Sequence, residues 1–489
     1  MALRVRFELT RRVSTTGSPV GLFASSDHPS SRPAPWAAWL PQPAPVGWSR
    51  DFLSLAIRTA AKRLTSMPGD GEIMLIKDVS IVEGGRLLRD QNIAIDGGRI
   101  AGVGPGIKDE SGDGEVIEGR GKLAIPGLVN SHTHLAMTLF RGYADDMELL
   151  PWLQEKIWPL EAKLTAEDVR WGTKLGCLEM IRGGITCYND MYYFMDETAR
   201  ATKEMGLRAF LSEVVFDMRP DQIEGVEPFI RRWEGDDLIV PAVGPHAVYT
   251  CSEETLQRSR EMAEKHDLLL HIHLSETRSE VESFEKNCGK SPVEYLDSIG
   301  FLSDRVVAAH CTWLSEKDVS IIAERGVTVA HCSISNHKLA SGIAPLDRLA
   351  RAGANICLGT DGASSNNSLN LFQEMKTTAI AQKCAHSRPD LFSAGEIWRM
   401  ATENSYRAFR LDLGLSPGAF ADLALIDLRK PWFAPLTEEN IISHLVYSGH
   451  GGVETTIVGG RVLMMDGEIP GEEEILDRAQ EQFQDLLTR

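Results

Sequence analysis

Residues 239–276 read IVPAVGPHAVYTCSEETLQRSREMAEKHDLLLHIHLSE, and this stretch decides the fold. Ile239–Gly244 is a short apolar run, read as a strand. Ser252 then stands in capping position before Glu253–His266, a helical pattern. A second apolar run, Leu268–Ile272, follows almost at once. Strand, helix and strand in that order, with both strands apolar on both faces, describe parallel pairing through a helical crossover.

Working outward, the same alternation continues on both sides. Strand-like runs occur at Leu128–Ser131, Thr186–Asn189, Arg208–Val215, Ile239–Gly244, Leu268–Ile272, Val306–Ala309, Val327–Ala330 and Asn355–Gly359. Helical patterns lie between or after them at Ala166–Arg182, Glu253–His266, Glu316–Arg325 and Leu369–Lys383, the first capped by Thr165. Eight units predict an α/β fold of (β/α)8 TIM-like barrel type. Shorter strand patterns flank this core: MLIKDVSIV, QNIAIDGGRIAGVG and KLAIPG before it, AFADLALIDL and ETTIVGGRVLMMDGEIP after it. They predict a small composite β-sandwich built from both chain ends. The expected organisation is an extension at 1–73, sandwich strands at 74–125, the barrel at 126–415, the remaining sandwich at 416–470 and a terminal helix at 471–489.

Composition limits the function classes. With 489 residues, 43% hydrophobic and 25% charged, the chain can build a barrel and a satellite domain. It has no apolar run of about 18 residues, so no membrane span is expected. A net charge of −18 argues against broad binding to a phosphate backbone, so no nucleic-acid partner is expected. Eight scattered cysteines, with no Cys-x-x-Cys pair, suit a reduced protein and a cytoplasmic location. Residues 1–73 break from the rest: Gly17–Trp48 is rich in Ser, Pro, Ala and Trp, and Arg4, Arg6, Arg11 and Arg12 lie close together. Disorder is expected there, and the stretch reads as a dispensable extension, a targeting segment or an upstream start.

Barrels of this kind carry chemistry at the C-terminal ends of their strands. His132 and His134 follow the first strand as S-H-T-H and, two residues apart, face one side. The fifth strand ends H-I-H-L-S-E, which offers His271, His273 and Glu276. The residue nearer the strand end reaches the mouth, so His273 is the candidate ligand and His271 a satisfied core histidine. The sixth strand ends in His310 and the eighth in Asp361, within G-T-D-G. Taken singly, each is explained by turn or core chemistry; together they point to one divalent cation. Imidazoles with a carboxylate suit Zn²⁺ first, then Fe²⁺ or Mn²⁺. Such an ion acidifies water toward neutrality. Asp361 can then accept the water proton, and Glu276 can deliver a proton to a ring.

The segments PGLVNSHTHLAMTLFRGYADD, HIHLSE, HCSISNHKLASGIAP and GTDGASSNN resemble the amidohydrolase superfamily. More narrowly, they resemble 5-methylthioadenosine/S-adenosylhomocysteine deaminases, over about residues 74–470. The resemblance implies metal ligation by His132, His134, His273 and Asp361. It implies substrate contacts from Glu161, in IWPLE, and His246, in GPHAVY, with Glu276 as proton shuttle and His310 as partner of the attacking water. By analogy it implies a homo-oligomer acting on a nucleoside and water. The fourth strand, IVPAVG, has no lysine that could bridge a second metal, which favours a mononuclear site.

Two departures bear on substrate identity. Glu213, in SEVVFD, stands where some family members carry a tail-binding arginine; Arg219 follows shortly and is a candidate substitute. In HCSISNHK, Ile334 and His337 occupy unusual places. The expected activity is deamination of S-adenosylhomocysteine, 5-methylthioadenosine, 5′-deoxyadenosine or adenosine. Alternatives are another aminated ring (guanine, pterin or triazine) on the same site, or a non-catalytic scaffold. A nucleic-acid-editing deaminase is set aside because its His/Cys-x-Glu and Pro-Cys-x-x-Cys pattern is missing from the sequence.

Overall fold

The computed structural model describes residues 73–108, 114–218, 222–448 and 451–489. All but the last residue of the 1–73 stretch, and Arg219, lie outside them.

The described chain opens with five strands: β1 Met74–Glu83, β2 Arg86–Asp96, β3 Arg99–Gly104, β4 Val116–Glu118 and β5 Lys122–Pro126. Eight parallel strands follow: β6 Leu128–Thr133, β7 Ile185–Tyr192, β8 Arg208–Val215, β9 Ile239–Pro245, β10 Leu270–Leu274, β11 Val306–His310, β12 Thr328–His331 and β13 Asn355–Leu358. Three more, β14 Leu423–Asp427, β15 Val453–Val458 and β16 Arg461–Met464, precede a last helix, Glu472–Thr488. Each of the eight apolar runs read from the sequence coincides with one of β6 to β13.

These eight pair in chain order from β6 to β13. Their residues are buried on both faces; all eight of β7, ITCYNDMY, are inaccessible. That is why they read as apolar runs without alternation. The seam between β13 and β6 has no strand ladder. It closes instead through Thr360 N and Asp361 N, which donate to His132 O at 3.1 and 3.0 Å. Asn130 reinforces it, donating from Nδ2 to Thr360 Oγ1 (2.7 Å) and accepting from Thr360 N (3.0 Å). A Cβ at Gly359 would lie 2.8 Å from His132 N, so glycine alone lets the eighth unit come this close to the first.

The helices are set by their caps. Ala166–Arg182 begins at Thr165, whose side chain and Asp168 form a reciprocal capping box. Arg489, at the far end of the last helix, donates to both Asp168 oxygens at 2.7 and 2.6 Å. Glu253–His266 begins at Ser252, whose side chain accepts from Thr255 N.

The second sheet runs β16-β15-β14-β5-β1-β2-β3, with β4 beside β1. Its central joint is the antiparallel pairing of β5 with β14, which brings both ends of the described chain together. Ile76, Val79, Ile93, Ile100, Leu423 and Ile457 form its own apolar cluster. Fully burying such side chains contributes roughly 1.5–3 kcal/mol each. A buried ion pair ties this sheet to the barrel: Arg208, at the start of β8, donates to Asp422 at 3.1 and 3.3 Å. Among the described residues, no helix is long and apolar enough to cross a membrane.

Candidate active site

At the C-terminal end of the barrel the strands deliver their last residues into one cleft of about 650 Å³. The period of two in β6 carries His132 and His134 to the same side. β10 contributes His273, β11 ends in His310, and the turn after β13 presents Asp361. Donor atoms of His132, His134 and Asp361 lie within 4.8 Å of one another, as do those of His132, His273 and His310. His134 Nε2 is 3.1 Å from His273 Nε2. Asp361 Oδ1 is 3.4 Å from both His132 Nε2 and His134 Nε2.

The outward nitrogens of two of these rings are fixed by main chain. His134 Nδ1 donates to Met191 O (2.6 Å) and His273 Nδ1 to His246 O (2.9 Å), so each Nε2 lone pair faces inward. His132 Nε2 is buried and makes no hydrogen bond among the described residues. Asp361 Oδ2 accepts from Ser335 Oγ and Ser365 Oγ at 2.7 and 2.8 Å, and Oδ1 accepts from Gly362 N at 2.7 Å. The donor set therefore fits a divalent cation: an orphaned His132 Nε2, the inward-facing Nε2 atoms of His134 and His273, and a fully supported carboxylate.

Titration properties follow from burial. Burial pulls His132 down to about 4, although Asp361 pulls the other way. His134 and His273 are likewise lowered, chiefly by burial, so all three are neutral imidazoles, the form that binds a metal. His310 behaves oppositely. Burial lowers it, but the Glu276 and Asp361 carboxylates outweigh that and raise it. Burial pushes Asp361 up, yet the close approach of His132 and the surrounding histidines hold it well below the carboxylate range. Burial raises Glu276, which keeps more of it protonated than an ordinary glutamate.

Glu276 sits just after β10, with Oε2 3.8 Å from His310 Nε2. Its position depends on Glu280, which accepts from the backbone N–H groups of Ser275, Glu276 and Thr277 at 3.2, 2.8 and 3.4 Å. His310 is oriented by Asn336, whose Oδ1 is 2.8 Å from Nδ1. Ser275 (φ 51°), His310 (φ 71°) and Asp361 (φ 62°) all adopt left-handed backbone at these strand ends. Each costs of order 1–3 kcal/mol and persists because neighbouring hydrogen bonds hold it.

Glu161 and His246 also line the cleft. Glu161 ends the short helix Trp158–Glu161 and accepts from Tyr192 OH at 2.8 Å. His246 follows β9, its Nδ1 2.9 Å from Thr250 Oγ1, and its ring packs on Phe216 at 4.5 Å between centroids. Burial lowers it to about 3, so it too is neutral.

His271 is a buried histidine, as expected, and its Nε2 lies 2.8 Å from His132 Nδ1. Two readings from sequence change in the structure. Glu213 does not face the cleft; it accepts from Met195 N at 3.0 Å, at the start of the helix Met195–Met205. Phe194 supplies no side-chain cap there, so the Glu213 carboxyl satisfies a first-turn donor in its place. Ile334 and His337 do not line the cleft, whereas their neighbours Ser335 and Asn336 reach Asp361 and His310. Of the residues that sequence reasoning passed over, Tyr192, Ser335, Asn336, Ser365 and Glu280 had no signal beyond proximity to a recognised motif.

Comparison with known proteins agrees with this architecture. The sequence profile described as the amidohydrolase family matches residues 123–463. The chain belongs to the amidohydrolase family. Within it, the chain is 62% identical over 415 residues to a 5′-deoxyadenosine deaminase of Methanothrix thermoacetophila, covering 85% of this chain and 100% of that one. It is 44% identical over 421 residues to 5-methylthioadenosine/S-adenosylhomocysteine deaminase 1 of Archaeoglobus fulgidus, covering 84% and 98%. Among solved structures, a zinc-bound adenosine deaminase from Xanthomonas campestris superposes with a TM-score of 0.80 at 34% identity, covering 85% of this chain and 99% of that one. A zinc complex of atrazine chlorohydrolase from Arthrobacter aurescens reaches 0.78 at 25% identity, covering 84% and 100%.

Proposed function

We propose that the protein is a metal-dependent hydrolytic deaminase of adenine-type nucleosides, releasing ammonia and the corresponding inosine-type product. The observation that carries this reading is the convergence of His132, His134, His273, His310 and Asp361 opposite the buried Glu276 in one cleft. The deaminase relatives, matched over their whole length, support the same substrate class.

His132, His134, His273 and Asp361 would hold one divalent cation, with Zn²⁺ favoured by the imidazole-rich donors and by the zinc in a solved relative. Such an ion supplies positive charge that lets water lose a proton near neutral pH. Asp361 takes that proton, and His310 orients the water and steadies its growing negative charge. The water oxygen adds to carbon 6 of the ring while Glu276 delivers a proton to the adjacent ring nitrogen. Asp361 then passes its proton to the amino group, which leaves as ammonia, while Glu276 recovers a proton from the added oxygen as the ring carbonyl forms.

Glu161 accepts hydrogen bonds from ribose hydroxyls, and neutral His246 contacts the ring edge. Beyond Glu161 the outer recess is walled by Trp158, Tyr193, Phe216 and Met218, which suits a small apolar 5′ group such as that of 5′-deoxyadenosine or 5-methylthioadenosine. Free thiols at all eight cysteines suit a reducing, cytoplasmic setting.

The test is ammonia release, with Zn²⁺ supplied, from 5′-deoxyadenosine, 5-methylthioadenosine, S-adenosylhomocysteine, adenosine, guanine and a triazine. Turnover concentrated on the adenosines is expected. Turnover of guanine or the triazine alone would discard the substrate and keep the metal chemistry.

A further inference from the structure

The three inward-facing histidines are held from behind in two different ways. His134 and His273 each turn Nδ1 to a main-chain carbonyl, Met191 O and His246 O. His132 turns Nδ1 to another imidazole, His271 Nε2, at 2.8 Å. We infer that His271 is a positioning residue for the metal centre, accepting the His132 Nδ1 proton and so fixing the tautomer that leaves His132 Nε2 free for the cation. This rests on the metal-centre reading given above.

The geometry is specific. Both rings are fully buried, and they meet nearly at right angles (87°) with centroids 4.9 Å apart. In β10, His271 and His273 share a face, but His271 lies one layer deeper, and of the two only His273 lines the cleft. For its Nε2 to accept, His271 carries its own proton on Nδ1, on the side of the Asp190 main chain.

The competing state shows why an acceptor matters. With no partner, a proton on His132 Nδ1 would be a buried, unsatisfied donor costing about 1–3 kcal/mol. The proton would then favour Nε2, where Asp361 Oδ1 waits 3.4 Å away, and the ring would pair with the carboxylate instead of the cation. A carboxylate behind His132 would also accept, but it would add a negative charge to the centre. An imidazole supplies the hydrogen bond without that charge.

The test compares His271→Leu, His271→Gln and His271→Asn by chelator competition for Zn²⁺ and by thermal unfolding of the metal-free proteins. Leucine, which cannot accept, weakens Zn²⁺ binding by about 10–100-fold. Glutamine, whose amide oxygen reaches the place of Nε2, restores affinity to within about 3-fold of wild type, and the shorter asparagine does not. Wild-type affinity in a folded His271→Leu protein overturns the inference. If that variant does not fold, equal affinities for the Gln and Asn variants overturn it. A wild-type protein with no affinity for any divalent metal overturns the metal-centre reading itself, and this inference with it.

Discussion

The two His-x-His segments share a spacing and an inward face, yet they perform different work. In β6 both imidazoles, His132 and His134, reach the centre, because His134 already lies beyond the last paired residue of its strand. In β10 only His273 does, while His271 stands behind His132. Alternation fixes the face a side chain takes but not its depth along the barrel axis. Depth depends on where each strand stops relative to its neighbours, and on the inter-strand register that sets it.

The largest expected effect separates the two members of the β10 pair. His273→Ala should abolish stoichiometric metal binding and lower kcat/KM by more than about 1,000-fold, since an ion's polarising charge is worth several kcal/mol. Metal analysis with steady-state kinetics would check it. Full metal content in that variant would erase the distinction between His273 and His271.

Next along the same strand end is Glu276. Its change to Gln should leave metal content intact and lower kcat by about 100-fold or more. Near-normal turnover would remove it from proton transfer. Farther from the centre, Glu161→Ala should raise KM for nucleosides by about 10-fold, one lost charge-assisted hydrogen bond, while leaving free-base kinetics unchanged. An equal effect on nucleoside and base would end its assignment to the ribose.

A separate effect, on stability rather than turnover, concerns the support beneath the site. Glu374 accepts from Ile334 N and Asn366 Nδ2 at 3.3 and 2.6 Å, and burial pushes it up to about 8. The folded state therefore keeps its proton where the unfolded chain loses it. Its stabilising contribution is complete below the ordinary 4.5 and is lost as pH rises through about 8. Denaturant titrations should show stability falling across that window by up to about 1.4 kcal/mol per pH unit, a slope that Glu374→Gln flattens. Parallel curves for the two proteins would contradict this.

Much of the barrel was legible because strands buried on both faces leave uninterrupted apolar runs, and because His or Asp stands at or close to the C-terminal ends of β6, β10, β11 and β13. The caps at Thr165 and Ser252 were equally plain, being local. What stayed hidden depends on contacts distant in sequence. Glu213 reads as a cleft residue after the third barrel strand until Met195 N claims it. Ser335 and Asn336 look like ordinary helix residues until Asp361 and His310 are beside them. The closure at Gly359 is visible only when His132 is its neighbour.

The most direct test of the central claim is a metal titration of activity. The protein is stripped with a chelator, confirmed metal-free, and assayed for ammonia release from 5′-deoxyadenosine as Zn²⁺ is returned. Activity that is absent in the stripped protein and saturates at one ion per chain is the predicted result. Deamination that persists without metal, or none from any adenosine at full Zn²⁺ loading, would contradict it.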